Sequence, residues 1–147
     1  MSVSGTFRIT AEALGGRRTL GRTIVTRRGL MDAVRAGLPY PSLDSLVGLL
    51  GVSRQQLLRW LALPERTIAR RSSGQRLRPD ESDRLMRVAR LLALGGTIFG
   101  STESAAAWMR TPNRALGGEI PLSLLDTDLG CREVEDALGK MEHGVFS

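Results

Sequence analysis

The sequence predicts an all-α protein, a helix-turn-helix unit followed by a smaller helical unit, and three observations carry that reading. Leu and Ala dominate a 41% hydrophobic content that includes only three Phe, two Trp and one Tyr. Such a composition favours helices packed through aliphatic ridges over a β-sandwich. Apolar residues recur at helical spacing, as in Leu43, Leu46, Val47 and Leu50, in Leu85, Val88, Ala89 and Leu92, and in Val134, Leu138 and Met141. Gly and Pro fall between these stretches, where helices must stop.

Taken in order, residues 1–27 are rich in Gly, Thr and Arg and predict a loosely ordered basic arm, with 23–26 as a short strand. A helix over 28–36 ends at Gly37, Pro39 and Pro41. Ser42 is the expected cap of a helix running to Leu50, which Gly51 stops. Ser53 caps the next helix, with Leu57, Leu58 and Leu61 on one side and Arg54, Gln55 and Arg59 on the other. The turn Ala62-Leu63-Pro64 leads into a helix over 64–72 that buries Ile68 and exposes Arg66, Thr67, Arg70 and Arg71. A long connecting helix spans 79–99, with Asp80, Glu81 and Asp83 complementing its dipole. Thr102 is the expected cap of a helix to Arg110, which Thr111-Pro112 stops. A loop around Gly117-Gly118 follows, then a helical turn over 122–126 and a last helix over 131–142. The domain organisation expected is an arm (1–27), a helix-turn-helix unit (28–78), a connecting helix (79–99) and a second unit (100–147).

Charge divides the chain. Residues 1–78 carry 14 arginines, no lysine and four acids, a net +10, whereas residues 79–147 set seven bases against eleven acids, a net −4. The basic half suits a phosphate polyanion and the acidic half a different partner. No apolar run reaches bilayer length and no signal core precedes a cleavage site, so no membrane association is expected. A single cysteine, Cys131, permits no internal disulfide and suits a reducing, cytoplasmic protein. With His143 as its one histidine the chain has no metal-ligand set. It also lacks a nucleophile–base constellation and a Gly-rich phosphate loop, so neither catalysis nor a cofactor has support.

Within the basic half, 53–71 has helix-turn-helix spacing, with Leu57, Leu61, Leu63 and Ile68 where two short helices must pack. The second helix then offers Arg66, Thr67, Arg70 and Arg71 to a major groove, and Arg54 and Gln55 at the start of the first complete the DNA-facing candidates. Arginine suits the task because its fork pairs bidentately with guanine edges or phosphate oxygens. Two positions depart from the usual pattern: Ala62 stands where the turn often has glycine, and Leu58 where a small residue is common. The competing reading is a helical hairpin with a solvated arginine face. In the acidic half, Trp108 is either core or contact, and Gly117-Gly118 either a turn or a recognition loop. Val145 and Phe146 put apolar side chains on a terminus that is normally polar, either folded back or docked into a partner.

Three runs, Leu63-Pro-Glu-Arg-Thr-Ile-Ala-Arg-Arg71, Leu77-Arg-Pro-Asp-Glu-Ser-Asp-Arg-Leu85 and Ala107-Trp-Met-Arg-Thr-Pro-Asn-Arg-Ala-Leu-Gly-Gly118, resemble the antitoxins of the MbcA/ParS/Xre group. The stretch Pro121-Leu-Ser-Leu-Leu-Asp-Thr127 with Gly130, Val134, Leu138 and Gly144 resembles that family's toxin-binding region. The likeness covers about 28–147. It implies a type II antitoxin whose helix-turn-helix represses its own operon. Its C-terminal region would inhibit a RES-domain, NAD-consuming toxin encoded by the adjacent gene. Carried over, the toxin-binding candidates are Trp108, Leu116, Gly117, Gly118, Pro121, Leu122, Leu125, Gly144, Val145 and Phe146. Reading two operator half-sites calls for a homodimer within a larger toxin–antitoxin assembly. The alternative is a stand-alone helix-turn-helix regulator whose C-terminal half only dimerises.

Overall fold

The computed structural model describes residues 3–71 and 74–144, with side chains from residue 5 onward. The chain is all-α, as its composition predicts, and the described residues contain no β-strand. Val145 and Phe146 lie outside the described residues, and the helix expected over 64–72 is shorter, Glu65–Ala69, because the chain turns out of the helix at Arg70 and Arg71. None of the described helices is long and apolar enough to cross a membrane.

The axis of the fold is helix α7, Pro79–Phe99, against which α1 (Val3–Ala13), α3 (Arg27–Ala36), α4 (Pro41–Leu50), α8 (Thr102–Met109) and α9 (Asp128–Glu142) all pack. Its start is fixed by Pro79 in the first helical position and by the Glu81 carboxylate, which accepts the Arg78 N–H at 2.8 Å. Leu85, Val88, Ala89 and Leu92 form the expected apolar stripe and are fully buried. Gly95 and Gly96 lie within the unbroken helix, and a methyl group at Gly95 would stand 3.0 Å from the Ala105 Cβ. The missing side chain is what lets α8 approach so closely. Both halves feed one apolar cluster that runs from Leu14 and Leu46 through Leu85 and Leu91 to Leu122, Val134 and Leu138.

The expected loose arm is instead helical. Residues of α1 are followed by α2, Gly16–Leu20, and 23–26 form no strand. Ser42, expected to cap α4, is buried within it, and its hydroxyl donates to the Leu14 carbonyl at 2.7 Å. Ser45 donates to the Ala13 carbonyl at 2.8 Å. Two hydroxyls from α4 therefore satisfy carbonyls orphaned at the end of α1, and the N-terminal segment is docked rather than free. Two other helix starts depart from expectation. Ser101, not Thr102, caps α8 by accepting the Ser104 N–H at 3.1 Å. Thr127 caps α9 by accepting the Gly130 N–H at 3.0 Å, so that helix begins at Asp128 rather than Cys131.

Candidate functional site

The basic site is built on α5, Arg54–Trp60, and α6, Glu65–Ala69. Ser53 caps α5 as expected, accepting the Gln56 N–H at 3.1 Å. Leu57, Leu61, Leu63 and Ile68 are all buried between the helices, as their spacing requires. The turn places Ala62 at φ 54, the only positive φ among the described non-glycine residues, which accounts for glycine being the usual choice there. Leu58 is buried without breaking the pair. Pro64 sits just outside α6 as its N-cap rather than as its first residue. Arg84 of α7 reaches across to donate to the Leu61 and Ala62 carbonyls at 3.2 and 3.1 Å. It thereby neutralises the negative end of α5 and fixes the turn.

The DNA-facing candidates divide by their surroundings. Arg66 and Arg70 are exposed, and among the described residues neither side chain is hydrogen-bonded or ion-paired; Gln55 and Arg59 share that exposure on α5. Thr67 is half-buried. Arg54 lies over the Tyr40 ring at 5.2 Å, donates to the Tyr40 hydroxyl at 2.7 Å and pairs with Asp44. Arg71, expected to be exposed, is only 17% so, because its guanidinium is paired with the buried carboxylate of Glu81. It ties α6 to α7, a partnership that a separation of ten positions hides from any motif reading.

In the acidic half, the candidates carried over from the resemblance separate into scaffold and surface. Leu116, Pro121, Leu122 and Leu125 are buried, in two short 3-10 turns, Arg114–Leu116 and Pro121–Leu124, and just after the second. Trp108 is half-buried, its ring 5.9 Å from that of Phe99. Gly117, Gly118 and Gly144 are exposed at φ 69, 84 and 68. The Asn113 carboxamide accepts the Ala115 N–H at 2.8 Å and shapes the glycine loop. Helix α9 is clamped to α7 by Arg90, which donates to Glu135 at 2.9 and 3.3 Å and to the Cys131 sulfur at 3.8 Å. The Glu135 hydrogen bond, against the cost of burial, raises Arg90 above its ordinary value.

One surface residue escaped the motif reading. Leu129 is 78% exposed at the start of α9, beside the exposed acids Asp126, Asp128 and Glu133. Periodicity was the available signal: the buried stripe Cys131, Val134, Leu138 leaves Leu129 two positions off register, on the outer face.

Comparison with known proteins identifies both units. Residues 29–90 match the antitoxin Xre-like helix-turn-helix domain, and residues 94–144 match the antitoxin Xre/MbcA/ParS C-terminal toxin-binding domain. An Antitoxin Xre of Yersinia enterocolitica is 36% identical over 120 residues, 80% of this chain and 81% of the relative. An Antitoxin Xre of Photorhabdus laumondii is 33% identical over 132 residues, covering 88% and 89% of the two chains. A Prs ADP-ribosylating antitoxin of Sphingobium is 28% identical over 127 residues, 80% of each. With a helix-turn-helix at α5 and α6 and a toxin-binding unit folded onto the same axial helix, the chain belongs to the Xre/MbcA/ParS family of antitoxins.

Proposed function

We propose that the protein neutralises a RES-domain, NAD-consuming toxin encoded by the adjacent gene and represses its own operon through α6, working as a homodimer within a larger complex. The observation that carries the DNA half is the pair of exposed arginines, Arg66 and Arg70, on the second helix of the motif, with no acid bound to either among the described residues. Arg71 and Arg54 serve this surface from behind, by holding α6 and α4 in place.

For the toxin half, Leu116, Pro121, Leu122 and Leu125 act as scaffold, while Gly117, Gly118, Trp108 and the segment from Gly144 through Val145 and Phe146 make contact. Leu129 joins them as an apolar anchor rimmed by carboxylates. A pocket that accepts anionic NAD⁺ is basic, and the acidic rim complements it.

The test is co-expression with the neighbouring reading frame, scoring growth and NAD⁺. Protection by the wild type, lost on Leu129→Glu or on deletion of 144–147 but kept by Arg66→Ala plus Arg70→Ala, is the expected pattern. The arginine double variant should lose promoter binding. A neighbour whose toxicity leaves NAD⁺ unchanged sinks the RES assignment, and the absence of any toxic neighbour favours a stand-alone regulator.

A further inference from the structure

Residues before Arg28 fall outside both matched domains, yet they are folded onto the helix-turn-helix unit. The Ser42 and Ser45 hydroxyls hold the end of α1, so α2 has a fixed place on the surface. That place is strongly basic. Arg17 and Arg18 of α2 are exposed, and among the described residues their side chains make no hydrogen bond or ion pair. Arg22 is exposed too, with one long bond of 3.5 Å to the Gly29 carbonyl.

Arg22, Leu20 and Arg76 line one hollow of about 350 Å³. Arg76 belongs to the segment that leads from α6 into α7, and it is anchored by donating to the Gly37 carbonyl at 2.9 Å. The acid in the same hollow, Asp32, is drawn towards Arg35 at 3.8 Å. Arg22, from the loop after α2, and Arg76, from the segment beyond α6, thus meet at one hollow, with Arg17 and Arg18 exposed on the short helix just before it. Like charges gathered this way repel one another until a polyanion supplies evenly spaced counter-charges.

We infer that Arg17, Arg18 and Arg22 form a second DNA contact, gripping backbone phosphates beside the site held by α6, with Arg76 bridging the two. The inference rests on the DNA-binding reading above and adds a sequence-independent component to it. Phosphate contacts of this type position a protein without reading bases.

The experiment titrates the purified full chain against the promoter duplex and a random duplex of equal length over a range of salt. The triple variant Arg17→Ala, Arg18→Ala, Arg22→Ala should bind both duplexes about tenfold more weakly, with a salt dependence shallower by about two to three counterions. The matching triple lysine variant should recover most of the loss, because a phosphate needs charge rather than a planar fork. Wild-type affinity and salt slope in the alanine variant, or a wild-type chain that binds neither duplex, overturns the inference. So does an alanine variant that keeps DNA binding and loses its toxin, which assigns these arginines to a protein partner. If the wild type binds DNA with no preference for the promoter, operator recognition fails alone, and the random duplex still decides the α2 contact.

Discussion

Arg71, two residues beyond α6, donates to the carboxylate of Glu81 in the first turn of α7, and the two side chains are only 17% and 4% exposed. The same carboxylate oxygen accepts the Arg78 N–H, so one buried acid holds both the end of the recognition helix and the start of the axial helix. Compare the pair Arg132–Asp128, at 72% and 61% exposure, which water screens to about 0.5 kcal/mol or less. The two ion pairs are alike in kind and opposite in consequence.

Removing Arg71 leaves the Glu81 charge buried with its main partner gone. Arg71→Ala should therefore cost about 3 kcal/mol in chemical denaturation. Arg132→Ala should cost almost nothing. DNA affinity should fall in Arg71→Ala as well, through disorder of α6, and a variant in which Glu81 is also replaced by Leu should lose less stability than the two single losses added together. An Arg71→Ala protein with an unchanged denaturation midpoint and reduced DNA affinity would show that Arg71 touches DNA after all.

Ala62 supplies a second prediction, because its left-handed backbone, φ 54, disfavours any side chain. The corresponding position one turn earlier in the chain, between α4 and α5, is Gly51 at φ 69, where the same geometry is free of strain. Ala62→Gly should stabilise the protein by about 0.5–1 kcal/mol, after the extra freedom glycine gains in the unfolded chain is set against the relief of strain. The measurement is a thermal melt, with a rise of about 1–4 °C expected for a chain of this size. A fall would mean that Arg84, bonded to the Ala62 carbonyl, depends on the strained geometry.

These cases show what was legible in the sequence and what was not. The stripes of α4, α5, α7 and α9 are written in leucines and valines, and burial follows them closely. Helix α1 was illegible because its sequence, VSGTFRITAEA, mixes glycine, threonine and isoleucine with few large apolar residues. It is held by contacts the sequence does not pair up: buried Ala11 and Ala13 against its neighbours and hydroxyls from α4 on its last carbonyls. The exposure of Arg66 could be read from motif position. The burial of Arg71 could not, since its partner is fixed only when α7 folds back beside α6.

Close approach in the toxin-binding unit gives a third prediction. A methyl group at Gly130 would overlap the Leu124 carbonyl, so the second 3-10 turn sits directly on the backbone of α9. Gly139, in the same helix, has nothing within 4 Å of the corresponding position. Gly130→Ala should destabilise by about 1–3 kcal/mol or more, since backbone must move. Gly139→Ala should stabilise by up to about 1 kcal/mol through helix propensity. Because Leu122 and Leu125 shape the neighbouring surface, toxin affinity should fall in the first variant and hold in the second. Equal stabilities for the two would contradict the packing of that turn on α9.

Cys131 turns burial into a pH dependence. The residue is 3% exposed, and burial pushes its thiol pKa up; Arg90 and Arg87 pull it down, and Glu135 pushes it up. The unfolded chain therefore ionises this thiol before the folded one does. The Cys131 contribution is intact below the ordinary thiol range and is lost as pH rises from there to the elevated folded value. Cys131→Ala removes that dependence while adding a small cavity cost that does not vary with pH. The stability difference between wild type and variant should thus shrink as pH is raised from 7 towards 10. In parallel, the folded thiol should react slowly with a disulfide reagent at pH 8 and quickly once denatured. A stability difference that stays constant across that range, or prompt labelling of the folded protein, would place Cys131 in contact with solvent and separate α9 from α7 at that point.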